Sequence, residues 1–514
     1  MVIHYRSAAY VVCLTIIVLI PFYTTRADLT SLAKNDPCPM FSALDPLVDR
    51  ELLRKKVTDF RNEYQYRCAR GCAMVSASLF GQSAVRGKNT KAEGVYRRVP
   101  IQLGDLTGRW GLIPLLFGPL PAGQTLAPAL QSALTAMFPV APPTPYNVDP
   151  NQRCGYLSFP LKYSKRGLRI SCSFDLNCGL GINIEGGVAS LRQNVMDIDD
   201  PFCAQALCTA SATSVTNNAP VLDYQWIDLT GFEINPTIAG VEVNELPIFQ
   251  VASDNPDPCE TIINVKTDLI QENLSRPFAT IAQQIQLNID SYCGVSSDEW
   301  RFNLYWRRFF EYYPDSYEWA HVAVIPVLML SASASPGIIK DEHKAFQPYF
   351  GNNGHAAVGA TAGLYLDFAD TLQVGAEFSY THFSSRHYTD LRIPNNLYQT
   401  TVFPFFTNAT VQPGDNNFFA LRALAYHFID TLSICVQYNK VEHKPNKICL
   451  VKQDDAFLPQ ELAAVSSWTN SSLNASATYD ILPNFGVGVL WQAPVRQRNS
   501  YKATTIMFTA YGFF

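Results

Sequence analysis

Apolar and polar side chains alternate along the C-terminal third of this chain. From Thr361 it reads TAGLYLDFADTLQVGAEFSYTH. Ala362, Leu364, Leu366 and Phe368 share one side, with Thr361, Gly363, Tyr365 and Asp367 between them. After Ala369-Asp370-Thr371 the alternation resumes with Leu372, Val374, Ala376, Phe378 and Tyr380 against Gln373, Gly375, Glu377, Ser379 and Thr381. A period of two sustained this long predicts strands with one apolar face. A three-residue connection keeps the parity and sets Phe368 opposite Leu372 in an antiparallel hairpin.

The unit recurs. YHFIDTLSICVQYN from Tyr426 turns through Ile429-Asp430-Thr431, and ATYDILPNFGVGVLW from Ala477 turns through Asp480, Pro483 and Asn484. Earlier, Leu168, Ile170, Cys172, Phe174 and Leu176 alternate with Arg169, Ser171, Ser173 and Asp175, then Leu180, Ile182 and Ile184 continue past Asn177-Cys178-Gly179. Longer polar stretches rich in Pro, Asn and Gly separate these hairpins. Short turns at one end and long loops at the other predict an all-β dominated fold, a transmembrane antiparallel up-and-down β-barrel. About twelve strands can be threaded, beginning at Gly71 and ending at Phe514, an even number as single-chain bacterial barrels have. Two long extracellular excursions, 84–156 and 193–300, interrupt it. Thr125–Phe138 and Glu260–Tyr292 read as helical insertions within them, the latter broken at Pro277. Another helix is expected from Asp45-Pro46, in a segment 28–70 that is periplasmic or tucked into the barrel.

Composition supports the membrane reading. Charged residues are only 16% and aromatics 12%, against about 25% charged in ordinary soluble domains. The net charge of −5 gives no basic footprint for nucleic acid. At the N-terminus, His4 and Arg6 precede an apolar stretch from Ala8 to Phe22. Thr25-Arg26-Ala27 then suits cleavage before Asp28, so residues 1–27 read as a secretory signal. Removing Cys13 with that segment leaves an even number of the 13 cysteines, and an exported chain meets an oxidising compartment. Cys259 and Cys293 bracket the second helical-looking segment and are the first candidates for a disulfide, which would contribute about 3–4 kcal/mol in the chain-entropy model. Cys203 and Cys208 rank second. Neither Cys68 with Cys72 nor Cys203 with Cys208 has a second ligand pair at zinc spacing, so no metal is expected.

The last residues, YKATTIMFTAYGFF, resemble the terminal strand of Gram-negative outer-membrane β-barrel proteins of the porin-like kind. Such strands end in a Phe that the barrel-assembly machinery recognises together with alternate apolar residues upstream. Phe514, Phe508 and Ile506 fit that spacing, whereas Gly512 and Ala510 are smaller than the pattern prefers. The resemblance implies outer-membrane lipid and the assembly machinery as partners and a bacterial outer-membrane location.

If the apolar positions face lipid, Arg169, Asp175, Glu185, Arg307, Glu311 and Glu377 point into the lumen. There they would line a pore constriction or form a salt-bridge network that fills the barrel. The corresponding functions are a porin-like channel or uptake barrel for small polar solutes, or a plugged barrel anchoring an extracellular interaction surface. No nucleophile elbow, HExxH, P-loop or EF-hand pattern occurs, and no cofactor is expected. His382, Ser384, Ser385 and His387 cluster where a strand meets its outer loop, a location where an outer-membrane hydrolase site would fit, although His-rich strand ends are mostly solvated rim. Two positions sit badly. Arg308 and Arg422 fall on lipid faces, where a mid-membrane Arg costs about 2–4 kcal/mol, so a bulge or an interfacial position is required. The strand from His321 is apolar on both faces and contains Pro326, which implies that something packs against its inner side.

Overall fold

The computed structural model describes residues 72–87, 101–103, 110–137 (except 117), 156–195 (except 159, 177 and 178) and 271–513, apart from breaks at 276, 309, 313–321, 369–370, 398, 400, 430 and 483–484. Between 225 and 265 only short strands are described.

The alternating segments form a closed 12-stranded antiparallel barrel. Its strands are β1 (Cys72–Ala84), β2 (Leu161–Asp175), β3 (Leu180–Val195), β4 (Trp300–Arg307), β5 (Val322–Ala334) and β6 (Ala357–Phe368). They continue as β7 (Leu372–Phe383), β8 (Asn416–Ile429), β9 (Leu432–His443), β10 (Trp468–Leu482), β11 (Phe485–Arg498) and β12 (Thr504–Phe513). Each pairs with its neighbour in sequence, and β12 returns to β1 over Met74↔Phe513 to Ser83↔Thr504. Closure leaves no edge, which lipid requires because a bare N–H or C=O there finds no water. All the connections at one end are turns, save the wider β4–β5 link through Phe310–Tyr312. The loop end carries the excursions and only one short link, Asn499–Ala503.

The outward positions form an apolar belt. Leu79, Leu328, Leu364, Phe378 and Phe508 are each more than half exposed, a pattern stable only against hydrocarbon. Aromatic residues mark its margins, with Trp300 and Tyr380 towards the loops and Phe368, Tyr479 and Phe485 towards the turns. Phe368 stands opposite Leu372 as its hairpin predicts.

The two ill-fitting arginines have different explanations. The β8–β9 turn is one residue shorter than the Ile429-Asp430-Thr431 reading: Ile429, not Phe428, stands opposite Leu432. The two-residue shift between Ala425 and Ile429 keeps that parity, so Arg422 points inward, 4% exposed, with its guanidinium 5.8 Å from the centre of the Tyr365 ring. Arg308 does remain outside, in the break after β4, over the Phe310 ring.

The excursions differ in part from expectation. Helix α1 (Pro128–Met137) lies where Thr125–Phe138 predicts it. Glu260–Tyr292 is not two long helices: it contains a strand at Ile262–Val265, a π-helical turn at Gln271–Ser275 and only a short α2 (Phe278–Gln284). The β-branched Ile262, Ile263 and Val265 favour the extended form. Tyr292–Ser297 is a strand continuing the β4 edge along β3. The Asp45-Pro46 helix lies outside the described residues.

The inner side of β5 is packed by the barrel itself. Ile325 and Val327 meet Tyr365, while Met329 meets Met74, Tyr305 and Tyr511, filling the lumen near the turn end. Three of these rings lie over glycines directly across the ladder: Tyr305 over Gly181, Tyr365 over Gly375 and Tyr511 over Gly486. A methyl group at Gly375 would fall 2.1 Å from Tyr365 Cδ1. Glycine is therefore required there by space. Tyr511 also donates to Asp480 Oδ1 at 2.7 Å, which satisfies its buried hydroxyl. Gly375→Ala is expected to lower barrel stability by about 1–3 kcal/mol, the usual cost of overpacking, read from urea midpoints of the detergent-refolded protein. Tyr365→Ala in the same chain should remove most of that cost. An equal loss in both backgrounds would contradict the ring-over-glycine account.

Candidate functional site

At the loop end the lumen opens into a cavity of about 190 Å³. One wall is built by β2, β3 and β4. Between Ser297↔Val188 and Arg301↔Glu185 the chain entering β4 has one residue more than β3, a bulge. That extra residue places Asp298 and Glu299 together on the cavity wall, with Asp298 N–H held by Gly187 O at 2.9 Å. Asp298 Oδ2 accepts from Lys165 Nζ at 2.9 Å and lies 3.5 Å from Arg169 Nη2. Arg301 contacts Glu185 at 3.6 Å and Glu299 at 3.3 Å. Three cations and three carboxylates thus neutralise one another. The Lys165–Asp298 pair is fully buried, where removing one partner typically costs about 3–5 kcal/mol, while Arg301 and Glu299 are partly exposed.

The opposite wall, from β7 to β10, is uncharged. Its centre is His443, stacked on Trp468 at 5.4 Å and 17°. Nδ1 of His443 lies 2.7 Å from Asn416 Oδ1 and Nε2 lies 3.1 Å from Asn446 Oδ1. Asn446 Oδ1 also accepts the Gly414 N–H, so its orientation is fixed and Nε2 carries a hydrogen; the neutral ring then has the Asn416 amide turned so that its Nδ2 donates to Nδ1. This histidine is held as a stacking platform.

The roof comes from the β6 and β8 approaches. Gly351, Asn353 and Gly354 all have positive φ, a left-handed run that Gly and Asn tolerate best. The turn projects Asn353 and His355 towards the cavity. His355 Nδ1 donates to Ser384 O at 2.8 Å, its Nε2 accepts from the Tyr388 hydroxyl at 2.8 Å, and Asn353 Nδ2 donates to that hydroxyl at 3.1 Å. The chain of bonds fits a neutral imidazole and a neutral phenol. Burial accordingly lowers the His355 pKa and raises that of Tyr388.

Above this lies a packed cap. Trp110, α1, α2 and Phe346 form one apolar core with Leu161, Tyr163 and Leu191 at the strand tops. Trp110 meets the Phe278 ring edge-on at 6.1 Å. A small sheet of Arg386–Arg392, Phe406–Gln412 and Lys447–Leu450 carries a second core around Ile393 and Phe405. Arg392 ties the segments together. Its Nη2 donates to Ile285 O (2.6 Å) and Gln286 O (2.9 Å) just past α2, Nη1 to Phe403 O (2.9 Å) and Nε to Glu342 O (3.2 Å). Burial lowers its pKa to about 10, which leaves it a cation at neutral pH. A second cavity of about 120 Å³ lies within the cap and shares Glu342, Tyr349, Leu391 and Leu462 with the first.

Of the residues singled out in the sequence, Arg169 lines the cavity and Glu185 joins its ion network. Arg307 and Glu377 are also buried and inward, but nearer the turns, with Arg307 over the Tyr305 ring. Asp175 pairs with Gly181 and Glu311 with Ala323 at the turn end. The six do not form one ring. Phe508 is 61% exposed on the outer belt, and Phe514 lies outside the described residues. Cys293 is exposed on the edge strand, paired in register with Arg192, and is bonded to no described cysteine; Cys203, Cys208 and Cys259 lie outside the described residues. His382 meets Asp415 at 2.8 Å, whereas Ser384 Oγ accepts the Ala356 N–H and His387 pairs across to Thr410, so no hydrogen bond among them joins these four side chains into a nucleophile and base. Asp298, Glu299, Arg301, His355 and Trp468 carry the cavity and were not among the expected lumen residues. The signals were the Asp298-Glu299 break in alternation and the Gly-Asn-Asn-Gly turn before His355.

No protein-family model and no curated protein sequence matches the chain. Among solved structures, an outer-membrane channel from Pseudomonas putida F1 is similar over 86% of this chain and 96% of its own, at 7% identity and a TM-score of 0.39. Salmonella typhi OmpF in complex with daunomycin covers 87% and 99% at 9% identity, with a TM-score of 0.22. A loop-deletion mutant of OmpT, an outer membrane protein of Vibrio cholerae, covers 86% and 99% at 7% identity and 0.21. The barrel is established by this chain's own strand pairing, and these scores carry no argument beyond it.

Because burial holds the His355 pKa below its usual 6.5, the unfolded roof binds a proton more readily than the folded one. Its contribution is complete above about pH 6.5 and is lost as pH falls through the lowered folded value. Hydrogen exchange over 351–355, corrected for intrinsic rates, should therefore speed up between about pH 7 and pH 5, and His355→Gln should flatten the response. A pH-independent wild-type roof would contradict this network.

Proposed function

We propose that this protein is an outer-membrane channel or uptake barrel for small polar solutes, held closed by its own cap. The observation that carries this reading is the partly open cavity at the loop-end lumen, lined by paired charges, amides and aromatic rings and adjoining a second cavity in the cap across Glu342, Tyr349, Leu391 and Leu462. Two cavities in series, divided by a few side chains, supply a route that small movements connect. In the proposal the turns face the periplasm, as in barrels of this kind, and residues 1–27 are removed on export. The charge groups around Arg169 and Glu185 then border the route, and Arg392 acts as the latch.

A plugged barrel that anchors an outer interaction surface is the alternative, favoured by the Tyr305, Tyr365 and Tyr511 packing near the turns. Planar-bilayer recording distinguishes them. The wild-type protein should show discrete but infrequent conductance steps. Arg392→Met keeps the volume of the stem but releases the carbonyls at 285, 286, 342 and 403, and should raise the open fraction at least several-fold. Absence of steps from both proteins, each verified as folded, contradicts the channel and supports the plug.

A further inference from the structure

The cavity's chemistry narrows the solute. We infer that it binds a neutral, polyhydroxylated solute about the size of one sugar ring, an assignment that rests on the channel reading for its biological use but not for the binding itself. Charge is the first argument. Lys165, Arg169 and Arg301 are balanced by Asp298, Glu185 and Glu299 within 3.6 Å. Glu342, the remaining carboxylate on the lining, pairs with Lys340 at 3.4 Å. An ion, or a zwitterion such as an amino acid, would have to break these pairs to gain contacts of its own, and breaking a buried pair is expensive.

The rest of the lining is neutral and rich in hydrogen-bonding groups. Thr381, Asn352, Asn353, Asn416, Asn446 and Tyr388 present hydroxyls and amides, and the His355 bonding pattern keeps the roof uncharged. Two buried polar atoms on opposite walls hold no hydrogen bond. Trp468 Nε1 is a donor on β10 and Asp298 Oδ1 an acceptor on the bulge before β4, in residues 4% and 1% exposed. Buried polar atoms are normally bonded. Each has less than 1 Å² of accessible surface, so a solute hydroxyl reaches it only with a side-chain shift. A hydroxyl both donates and accepts and serves either atom, which a purely apolar or purely anionic molecule cannot. Trp468, Phe383 and Tyr388 also line the cavity, each already against a histidine ring, and the aromatic surface they leave to it suits the C–H face of a sugar ring. Size is the third argument. At about 190 Å³ the cavity is smaller than the roughly 300–1,000 Å³ pockets that hold drug-sized ligands.

The test uses the full-length protein refolded in detergent, titrated with glucose, sorbitol, glycine and sodium acetate, and followed by tryptophan fluorescence. Glucose and sorbitol should give saturable changes, with glycine and acetate giving none at equal concentration. Trp468→Phe should weaken glucose binding about tenfold, the effect of one lost hydrogen bond in a buried site, with isothermal titration calorimetry supplying the affinity once the fluorophore is gone. Trp468→Tyr serves if the phenylalanine variant does not fold. Glycine or acetate binding as tightly as glucose overturns the inference, as does unchanged glucose affinity in the variant. Swelling of proteoliposomes separates the two levels. Glucose binding without swelling in any solute sinks the channel and leaves the site. Swelling in glycine without glucose binding leaves the channel and sinks the site.

Discussion

Closure of the β12–β1 ladder is the constraint on which everything else depends. In hydrocarbon a sheet edge has no solvent to satisfy it, so the register from Met74↔Phe513 to Ser83↔Thr504 makes the remaining ladders permissible. Once the ring is closed, alternation assigns every side chain to lipid or lumen. A lumen of twelve strands lies between filled eight-stranded barrels and open porins, and its content decides what the barrel can do. Here it is divided. Tyrosine rings over facing glycines pack the turn end, paired charges and neutral amides enclose a cavity at the loop end, and a cap with its own cores covers that cavity.

The cap and the barrel depend on each other. Leu161, Tyr163 and Leu191 continue the inner faces of β2 and β3 beyond the membrane and become the floor of the cap core. Tyr501, in the short β11–β12 link, packs against Tyr163 with ring centres 4.9 Å apart and planes tilted by 39°, and closes the same core from the other side. Arg392 places its guanidinium just past the C-terminus of α2, on the carbonyls of Ile285 and Gln286, a favourable position for a cation at a helix end. The connection between loop position and lumen shape therefore runs through a small number of named contacts.

Much of the barrel was legible because period two is robust over strands this long. The hairpin at Phe368 and Leu372 could be read to the residue. The Arg422 discrepancy was legible as a discrepancy, but its cause was not: with Ile429 opposite Leu432 the β8–β9 turn is one residue shorter than the alternation suggests, which exchanges the two faces of β8. The second excursion was misread because an apolar periodicity broken by Pro277 does not distinguish helix from short strands when β-branched residues fill it. The cavity was hidden for another reason. Asp298, His355 and Trp468 come from segments far apart in sequence, and only closure of the ring brings opposite walls face to face. Arg169 and Glu185 were visible because they sit inside regular alternation, whereas Asp298 and Glu299 sit where a bulge suspends it.

Two native thiols report on the central claim, a closed barrel with a filled lumen. Cys172 lies on the outer face of β2, opposite Val75, while Cys435 lies on the inner face of β9, 4% exposed against Leu424. The measurement is mass-spectrometric mapping of maleimide labelling in proteoliposomes, with a membrane-impermeant and a lipid-soluble reagent. The account predicts that the lipid-soluble reagent modifies Cys172, and that neither reagent reaches Cys435 until the barrel is unfolded. Rapid modification of Cys435 by the impermeant reagent in the folded protein would mean a water-filled lumen at the turn end, and would contradict it.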